Sequence, residues 1–276
     1  MNHAASRPEH PMDRLVRILA GDWTPAEARA YIVFTATVFW GLIALARLSF
    51  PADHHYSIMS HTFSFLGSFE PKHNPRWWWI FSSAMSFWAL TTVPHALFFG
   101  RTYALTAPRT GKVITLFMWI ACVGMLGVAC FPDARGNVIG QWEWTDIHEK
   151  AALAGFLGGF AAILTMGGVI LVNLWKGDRL QPPFPRRMLV PFGIWFTIFV
   201  LGVHFQVTWA RMYPVLKARA AAMGQPFGSS WSESLHTIYG FPLWENLIIY
   251  AQFVFLAWST LILADWLEKR LRSGAR

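Results

Sequence analysis

Charged residues are scarce in this chain, and their scarcity excludes most soluble folds. Only 14% of the 276 residues are Asp, Glu, Lys or Arg, whereas soluble domains carry about 25%. Hydrophobic residues make up 54% of the sequence and aromatic residues 16%. This composition predicts an integral membrane protein. Because no shift in composition divides the chain, we expect a single domain over residues 1–276.

Cysteines and familiar catalytic signatures are also rare. Cys122 and Cys130 are the only cysteines, and at about 1.5 Å rise per residue they lie too far apart in one predicted helix to form a disulfide. The sequence contains no HExxH, CxxC or GxSxG motif, so no motif assigns a metal site or a nucleophile. Roughly thirty polar and basic residues precede the first apolar stretch, which therefore resembles a signal anchor more than a cleavable signal peptide.

Six apolar stretches are long enough to cross a bilayer, which takes about 20 residues. They are residues 30–48, 77–99, 113–131, 147–175, 188–210 and 243–266. The sequence thus predicts an all-α, polytopic bundle of six transmembrane helices over residues 30–266. Residues 1–29 form an N-terminal segment before it, and residues 267–276 form a basic tail after it. We also expect a short interfacial helix in the alanine-rich part of the segment that follows the fifth span.

The distribution of basic residues predicts the orientation of this bundle. Fifteen of the 23 Lys and Arg residues flank one set of helix ends, and eight flank the other set. Because the cytoplasmic side is the richer one, we expect both termini to be cytoplasmic. The formal charge of +8 therefore belongs to membrane topology, and we expect no nucleic-acid partner.

The segment over residues 53–70 is too polar for a span and too apolar for an ordinary loop. Ser57, Ser60, His61 and Ser64 recur there at i, i+3, i+4 and i+7, which is one face of a helix. The pattern predicts a short amphipathic helix on the outer face after the first span. Its serine and histidine side chains would point toward other polar groups.

Several later polar residues are predicted to lie at the same outer depth. Ionisable groups near the bilayer core are costly and mark a site by default. The predicted pocket residues are Arg47, Asp53, Ser64, Asp146, Gln206, Glu245 and Asn246. Structural roles compete with this interpretation, since Asp146 and Glu149 suit a capping pair at a helix start. His73 suits a solvated loop position.

Two catalytic hypotheses use this outer face. In the first, zinc takes nitrogen ligands from His61, His148, His204 and His236 and an oxygen ligand from Asp133, Asp146 or Glu245. The metal then assists hydrolysis or transfer at a lipid headgroup. In the second, catalysis is metal-free, and a serine, Ser57 or Ser60 or Ser64, is activated by His61 and an acid.

Two further hypotheses are not enzymatic. A polar pocket would bind a lipid headgroup or another membrane subunit, with Arg47 paired to Glu245 or Asp53. Alternatively, a single b-type haem would take axial ligands from His61 or His148 together with His204. The sequence does not decide between enzyme and binding protein, and it leaves zinc and haem as alternative cofactors.

Short motifs in the first four spans resemble a large uncharacterised family of six-span bacterial membrane proteins, distantly similar to Frag/DRAM-like proteins. The motifs are Tyr56-Ser57, Ser64, Leu66-Gly67, Asn74-Pro75, Phe131-Pro132-Asp133, Asp146-Ile147-His148, Ala151-Ala152 and Phe156. The resemblance implies a six-helix fold in the bacterial inner membrane, and its distant relatives imply a connection with lipids. Residues 136–144 and the segment after the fifth span depart from this pattern.

A second, weaker likeness concerns Ser57 and His61. Their SxxxH spacing is similar to that of membrane hydrolases of the ceramidase and progestin-receptor-like group. That group has seven spans and paired histidines in its last span, whereas the sixth span here contains no histidine.

Overall fold

The computed structural model describes residues 10–52, 55–176, 184–225 and 238–273. These ranges contain seven α-helices: α1 (Pro11–Leu19), α2 (Pro25–Leu48), α3 (Trp78–Ala104), α4 (Pro108–Cys130), α5 (Trp144–Trp175), α6 (Leu189–Ala222) and α7 (Phe241–Arg272). Two short 3-10 helices cover Phe63–Gly67 and Arg186–Met188, and strands β1 (Asn137–Ile139) and β2 (Trp142–Glu143) pair antiparallel. The predicted all-α class is confirmed.

Five of these helices are long and apolar enough to cross a membrane: α2, α4, α5, α6 and α7. α3 has 27 residues, but Trp, Ser, Thr and Pro make it less apolar than the other five. Five such helices in one chain indicate a multi-pass membrane protein. α3 corresponds to the second predicted span and packs against α2 and α4.

Helices that are consecutive in the sequence, from α2 to α7, run antiparallel and define two ends of the bundle. Residues 55–77, 131–144 and 238–246 meet at one end, called here the site end, where Ser64 contacts Asp133 and Tyr56 contacts Asn246. The opposite end, called the basic end, holds α1, the start of α2 and the end of α7. There Arg29 forms an ion pair with Asp265 at 2.7 Å.

Glycines allow the closest helix contacts. A Cβ on Gly124 of α4 would overlap the backbone of Gly155 in α5, and one on Gly159 would overlap the side-chain amide of Gln252 in α7. Gly155 and Gly159 form the GxxxG spacing typical of close helix packing. Here that spacing places α5 against two different helices of the same chain.

One helix boundary and one additional helix differ from the sequence prediction. α6 continues through Pro214 to Ala222, so the alanine-rich segment extends the fifth predicted span and is not a separate interfacial helix. A proline ring removes one backbone hydrogen bond and kinks a helix without always ending it. At the N-terminus, the segment over residues 1–29 contains α1, a helix that was not expected from the sequence.

Candidate functional site

Residues 57–67 do not form the predicted amphipathic α-helix. The backbone makes one turn, in which the His61 N–H donates to the Ser57 carbonyl at 2.8 Å, and Thr62 is then extended before the 3-10 helix. Side chains compete for the backbone groups: the Met59 N–H donates to Ser57 Oγ at 3.2 Å and the Ser57 N–H to His61 Nδ1 at 3.2 Å. Such local bonds favour turns over helix, so the predicted single-face serine stripe does not exist.

Ser60 and His61 nevertheless form a hydrogen-bonded pair, with 2.9 Å between Ser60 Oγ and His61 Nδ1. Because the Ser57 N–H also donates to Nδ1, that nitrogen is an acceptor and the ring proton lies on Nε2. The Ser60 hydroxyl is therefore the donor in this pair. Phe50, Tyr56 and Phe65 surround the imidazole, with ring centroids 5.5 to 5.9 Å away.

Asn246, in the second turn of α7, connects the helix to this segment. Its Oδ1 accepts from the Tyr56 hydroxyl at 2.9 Å and from Tyr250 at 3.4 Å. Its Nδ2 donates to the His61 carbonyl at 3.0 Å and to the Pro242 carbonyl at 2.8 Å. The side chain is fully buried, and these bonds hold the Ser60–His61 turn against α7.

Two carboxylates lie beside this turn. Glu245 accepts a hydrogen bond from the Phe63 N–H, while its Oε2 atom is buried and has no hydrogen-bond partner among the described residues. Asp133 accepts from Ser64 Oγ at 2.9 Å and from Thr145 Oγ1 at 3.1 Å. Asp133 is also close enough to Glu245 for its charge to act on it.

Arg47 places a positive charge at the edge of the same cluster. Its guanidinium lies over the Tyr56 ring, 5.6 Å from the centroid. Burial raises the pKa of Tyr56, nearby Tyr250 and Glu245 add to the rise, and Asn246 and Arg47 oppose it. Tyr56 is thus within electrostatic reach of both Glu245 and Arg47. We call Arg47, Tyr56, Ser60, His61, Ser64, Asp133, Glu245 and Asn246 the outer polar cluster.

The remaining predicted metal ligands do not join this cluster. His148 is buried and its Nδ1 donates to the Phe131 carbonyl at 2.7 Å, a contact that anchors the start of α5. His204 is exposed on α6. No group of three His, Cys, Asp or Glu side chains suited to a metal occurs in the described ranges. His236 and Asp53 lie outside the described residues.

Asp146 and Gln206 are two further residues of the predicted pocket. Asp146 Oδ2 accepts from the Glu143 N–H at 3.2 Å, within a capping box that starts α5. The capping partner of Asp146 is therefore Glu143 and not Glu149. Asp146 is exposed and does not contact the outer polar cluster in any bond described here. On α6, Gln206 has a buried Nε2 without a partner among the described residues, as does the indole nitrogen of nearby Trp209.

Two buried residues beside the cluster, His73 and Asn74, were not predicted from the sequence. His73 was predicted to be solvated, but it is buried, stacks on Phe65 with centroids 3.7 Å apart, and its Nδ1 pairs with Ser68 Oγ at 2.8 Å. Burial lowers the pKa of His73 to about 4. Asn74 donates to the carbonyls of Ala46 and Leu66. The Asn74-Pro75 step was the only sequence signal for this contact.

Comparison with known proteins adds no identification to this geometry. No protein-family model matches the chain, and neither a curated protein nor a solved structure matches it. The resemblance to six-span bacterial membrane proteins stays a prediction from its short motifs. The outer polar cluster must therefore be interpreted from its own chemistry.

Proposed function

We propose that this chain is a six-span protein of the bacterial inner membrane, with both termini cytoplasmic, that binds an amine-bearing phospholipid headgroup in its outer polar cluster. The even number of spans is supported by α3, which runs antiparallel to both α2 and α4. The orientation is supported by the excess of Lys and Arg at the basic end. With this topology, the cluster lies at the outer leaflet.

The observation that carries the proposal is the free carboxylate oxygen of Glu245. A buried polar atom without a hydrogen-bond partner is costly, and Glu245 Oε2 has none among the described residues. An ammonium group supplies both the missing donor and the compensating charge. Asp133 adds a second negative charge nearby.

The cluster also favours one class of headgroup over another. A primary ammonium, as in an ethanolamine headgroup, donates hydrogen bonds, whereas a quaternary choline cannot satisfy Glu245 Oε2. Arg47 is exposed at the end of α2, where a guanidinium suits the phosphate of the same lipid. The site therefore fits a zwitterionic ethanolamine phospholipid better than a choline or glycerol one.

Lipid retention by the purified protein tests this proposal. Native mass spectrometry would compare phosphatidylethanolamine, phosphatidylcholine and phosphatidylglycerol on wild type, Glu245→Gln and the exposed control Glu149→Gln. Since a hydrogen bond to a charged group contributes ~1.5–3 kcal/mol, we expect Glu245→Gln to lose roughly tenfold or more in ethanolamine-lipid affinity. Glu149→Gln should match wild type. Equal retention of the three lipids by wild type, or no effect of Glu245→Gln, would refute headgroup binding at this site.

The Ser60–His61 pair supports a second candidate, a metal-free lipid hydrolase or transferase. A serine within 2.9 Å of an accepting imidazole nitrogen has the geometry of an activated nucleophile and its base. A fluorophosphonate probe should then label wild type and Ser57→Ala but not Ser60→Ala. An unlabelled wild-type protein would rule this candidate out. The zinc and haem hypotheses gain no support from the described residues, because His204 is exposed on α6 and no group of three candidate metal ligands occurs among those residues.

A further inference from the structure

Helix α1 has one apolar face that the rest of the described chain leaves exposed. Met12, Leu15, Val16 and Leu19 recur at i, i+3, i+4 and i+7, and their exposed fractions range from 48% to 62%. Asp13, Arg14 and Arg17 occupy the opposite side of the helix. A short helix with separate apolar and charged faces is typical of segments that lie in a membrane interface.

The orientation of α1 is held by contacts with the bundle. The Arg17 guanidinium donates to Glu27 at 2.8 Å and to the Asp22 carbonyl at 2.6 Å. The Trp23 indole donates to the Ile18 carbonyl at 2.7 Å, and its ring stacks on Phe98 of α3. The charged face is therefore turned toward the start of α2, and the apolar face is turned away from it.

Gly21 permits the close approach of this hairpin to α3. Its φ of +68° lies in the left-handed region that favours glycine. A Cβ there would overlap the backbone at Pro94 and Phe98. The turn between α1 and α2 consequently docks directly on α3, so α1 is a fixed part of the fold.

We propose that α1 lies in the plane of the membrane interface at the basic end and inserts its apolar face into a leaflet containing anionic lipids. Two observations favour a lipid surface as the occupant. The spanning helix α2 begins six residues after α1 ends, so α1 lies at the depth where the bilayer begins. Basic side chains are exposed around it at the same end, namely Arg14, Arg101, Arg109 and Lys112.

The position of α1 can be measured with spin labels in the full-length protein. Cys130→Ala removes the exposed cysteine, and Cys122 is buried, so labelling of this parent gives the background. Val16→Cys places a label on the apolar face, and Asp13→Cys places a matched label on the charged face. Power saturation in nanodiscs then compares collisions with oxygen, which is enriched in lipid, and with a water-soluble nickel chelate.

The two labels should give opposite results. We expect the Val16 label to collide mainly with oxygen and the Asp13 label mainly with nickel, with a deeper Val16 position in phosphatidylglycerol than in phosphatidylcholine nanodiscs. A nickel-accessible Val16 label would overturn the proposal. So would a Val16 label shielded from both reagents or broadened by a second label, because it would show a protein surface or a second copy over this face. None of these results depends on the ethanolamine-lipid proposal.

Discussion

The Tyr56 hydroxyl and Asn246 Oδ1 are 2.9 Å apart although 190 positions separate them in the chain. This hydrogen bond ties the segment after the first span to the second turn of the last helix. Asn246 in turn donates to the backbone of His61. The Ser60–His61 pair, Glu245 and Asp133 thus surround a contact that only the folded chain forms.

Removing the Tyr56 hydroxyl should destabilise the protein. Tyr56→Phe leaves buried Asn246 Oδ1 with the longer bond from Tyr250 alone, which costs about 1–2 kcal/mol. Tyr103→Phe is a matched control, since the Tyr103 hydroxyl is buried without a partner among the described residues. Unfolding in mixed micelles should show a loss for Tyr56→Phe and no loss for Tyr103→Phe. Equal losses would contradict the assigned role of the Tyr56 bond.

The contact between Gly124 and Gly155 should tolerate no methyl group. Gly124→Ala forces α4 and α5 apart, and overpacking of this kind costs about 1–3 kcal/mol. Gly168→Ala is the control, because a Cβ at that position meets no atom within 4 Å. Thermal unfolding should show a lower midpoint for Gly124→Ala and an unchanged or higher one for Gly168→Ala. Similar midpoints for the two variants would disprove the close approach.

A hydrogen bond between α3 and α7 should depend on the hydroxyl of residue 260. Thr260 Oγ1 donates to the Leu256 carbonyl at 2.7 Å, so it accepts from His95 Nε2, which lies 2.6 Å away. Thr260→Val leaves a buried imidazole N–H without its partner, at a cost of about 1–3 kcal/mol. Thr260→Ser keeps the hydroxyl. We expect reduced stability in the valine variant alone, measured by unfolding in the same detergent, and a stable valine variant would argue against this bond.

Burial of His73 should make the stability depend on pH. Its folded-state pKa of about 4 lies below the ordinary value of 6.5, so the unfolded chain binds the proton first as pH falls. The contribution of neutral His73 to the free energy of unfolding is therefore complete above pH 6.5 and is lost as the pH falls toward 4. At roughly 1.4 kcal/mol per pKa unit, the loss reaches up to about 3 kcal/mol.

Unfolding measured between pH 7 and pH 4 in wild type and His73→Gln tests this expectation. The wild-type stability should fall more steeply with decreasing pH than that of His73→Gln. Ser68→Ala, which removes a hydrogen-bond partner of the ring, serves as a control that retains the titrating group and should retain a pH slope. Parallel slopes in wild type and His73→Gln would locate the pH dependence elsewhere.

Side-chain periodicity and side-chain chemistry explain where the sequence prediction of the site succeeded and where it failed. Ser60, His61 and Ser64 were selected because they share one face of a predicted helix, and Asp133, Glu245 and Asn246 because polar groups at the ends of apolar stretches are costly. The structure gathers all six residues at the site end. His204 met the same criterion and is exposed on α6. The depth of a residue in the membrane can be estimated from its position along a span. Whether its side chain points into the bundle or away from it depends on how that helix packs against the other helices.

The sequence by itself determined the class of this protein, because long apolar helices follow from the need to satisfy every backbone group within the bilayer. The structure confirms the all-α class and five of the long apolar helices. Tertiary structure decided the rest. Local hydrogen bonds prevent the predicted helix at residues 57–67. Asp146 belongs to the capping box of α5 and not to the pocket, and His73 is buried although the sequence predicted a solvated position. Whether polar side chains meet is determined by packing between helices distant in sequence, which periodicity within one helix does not encode.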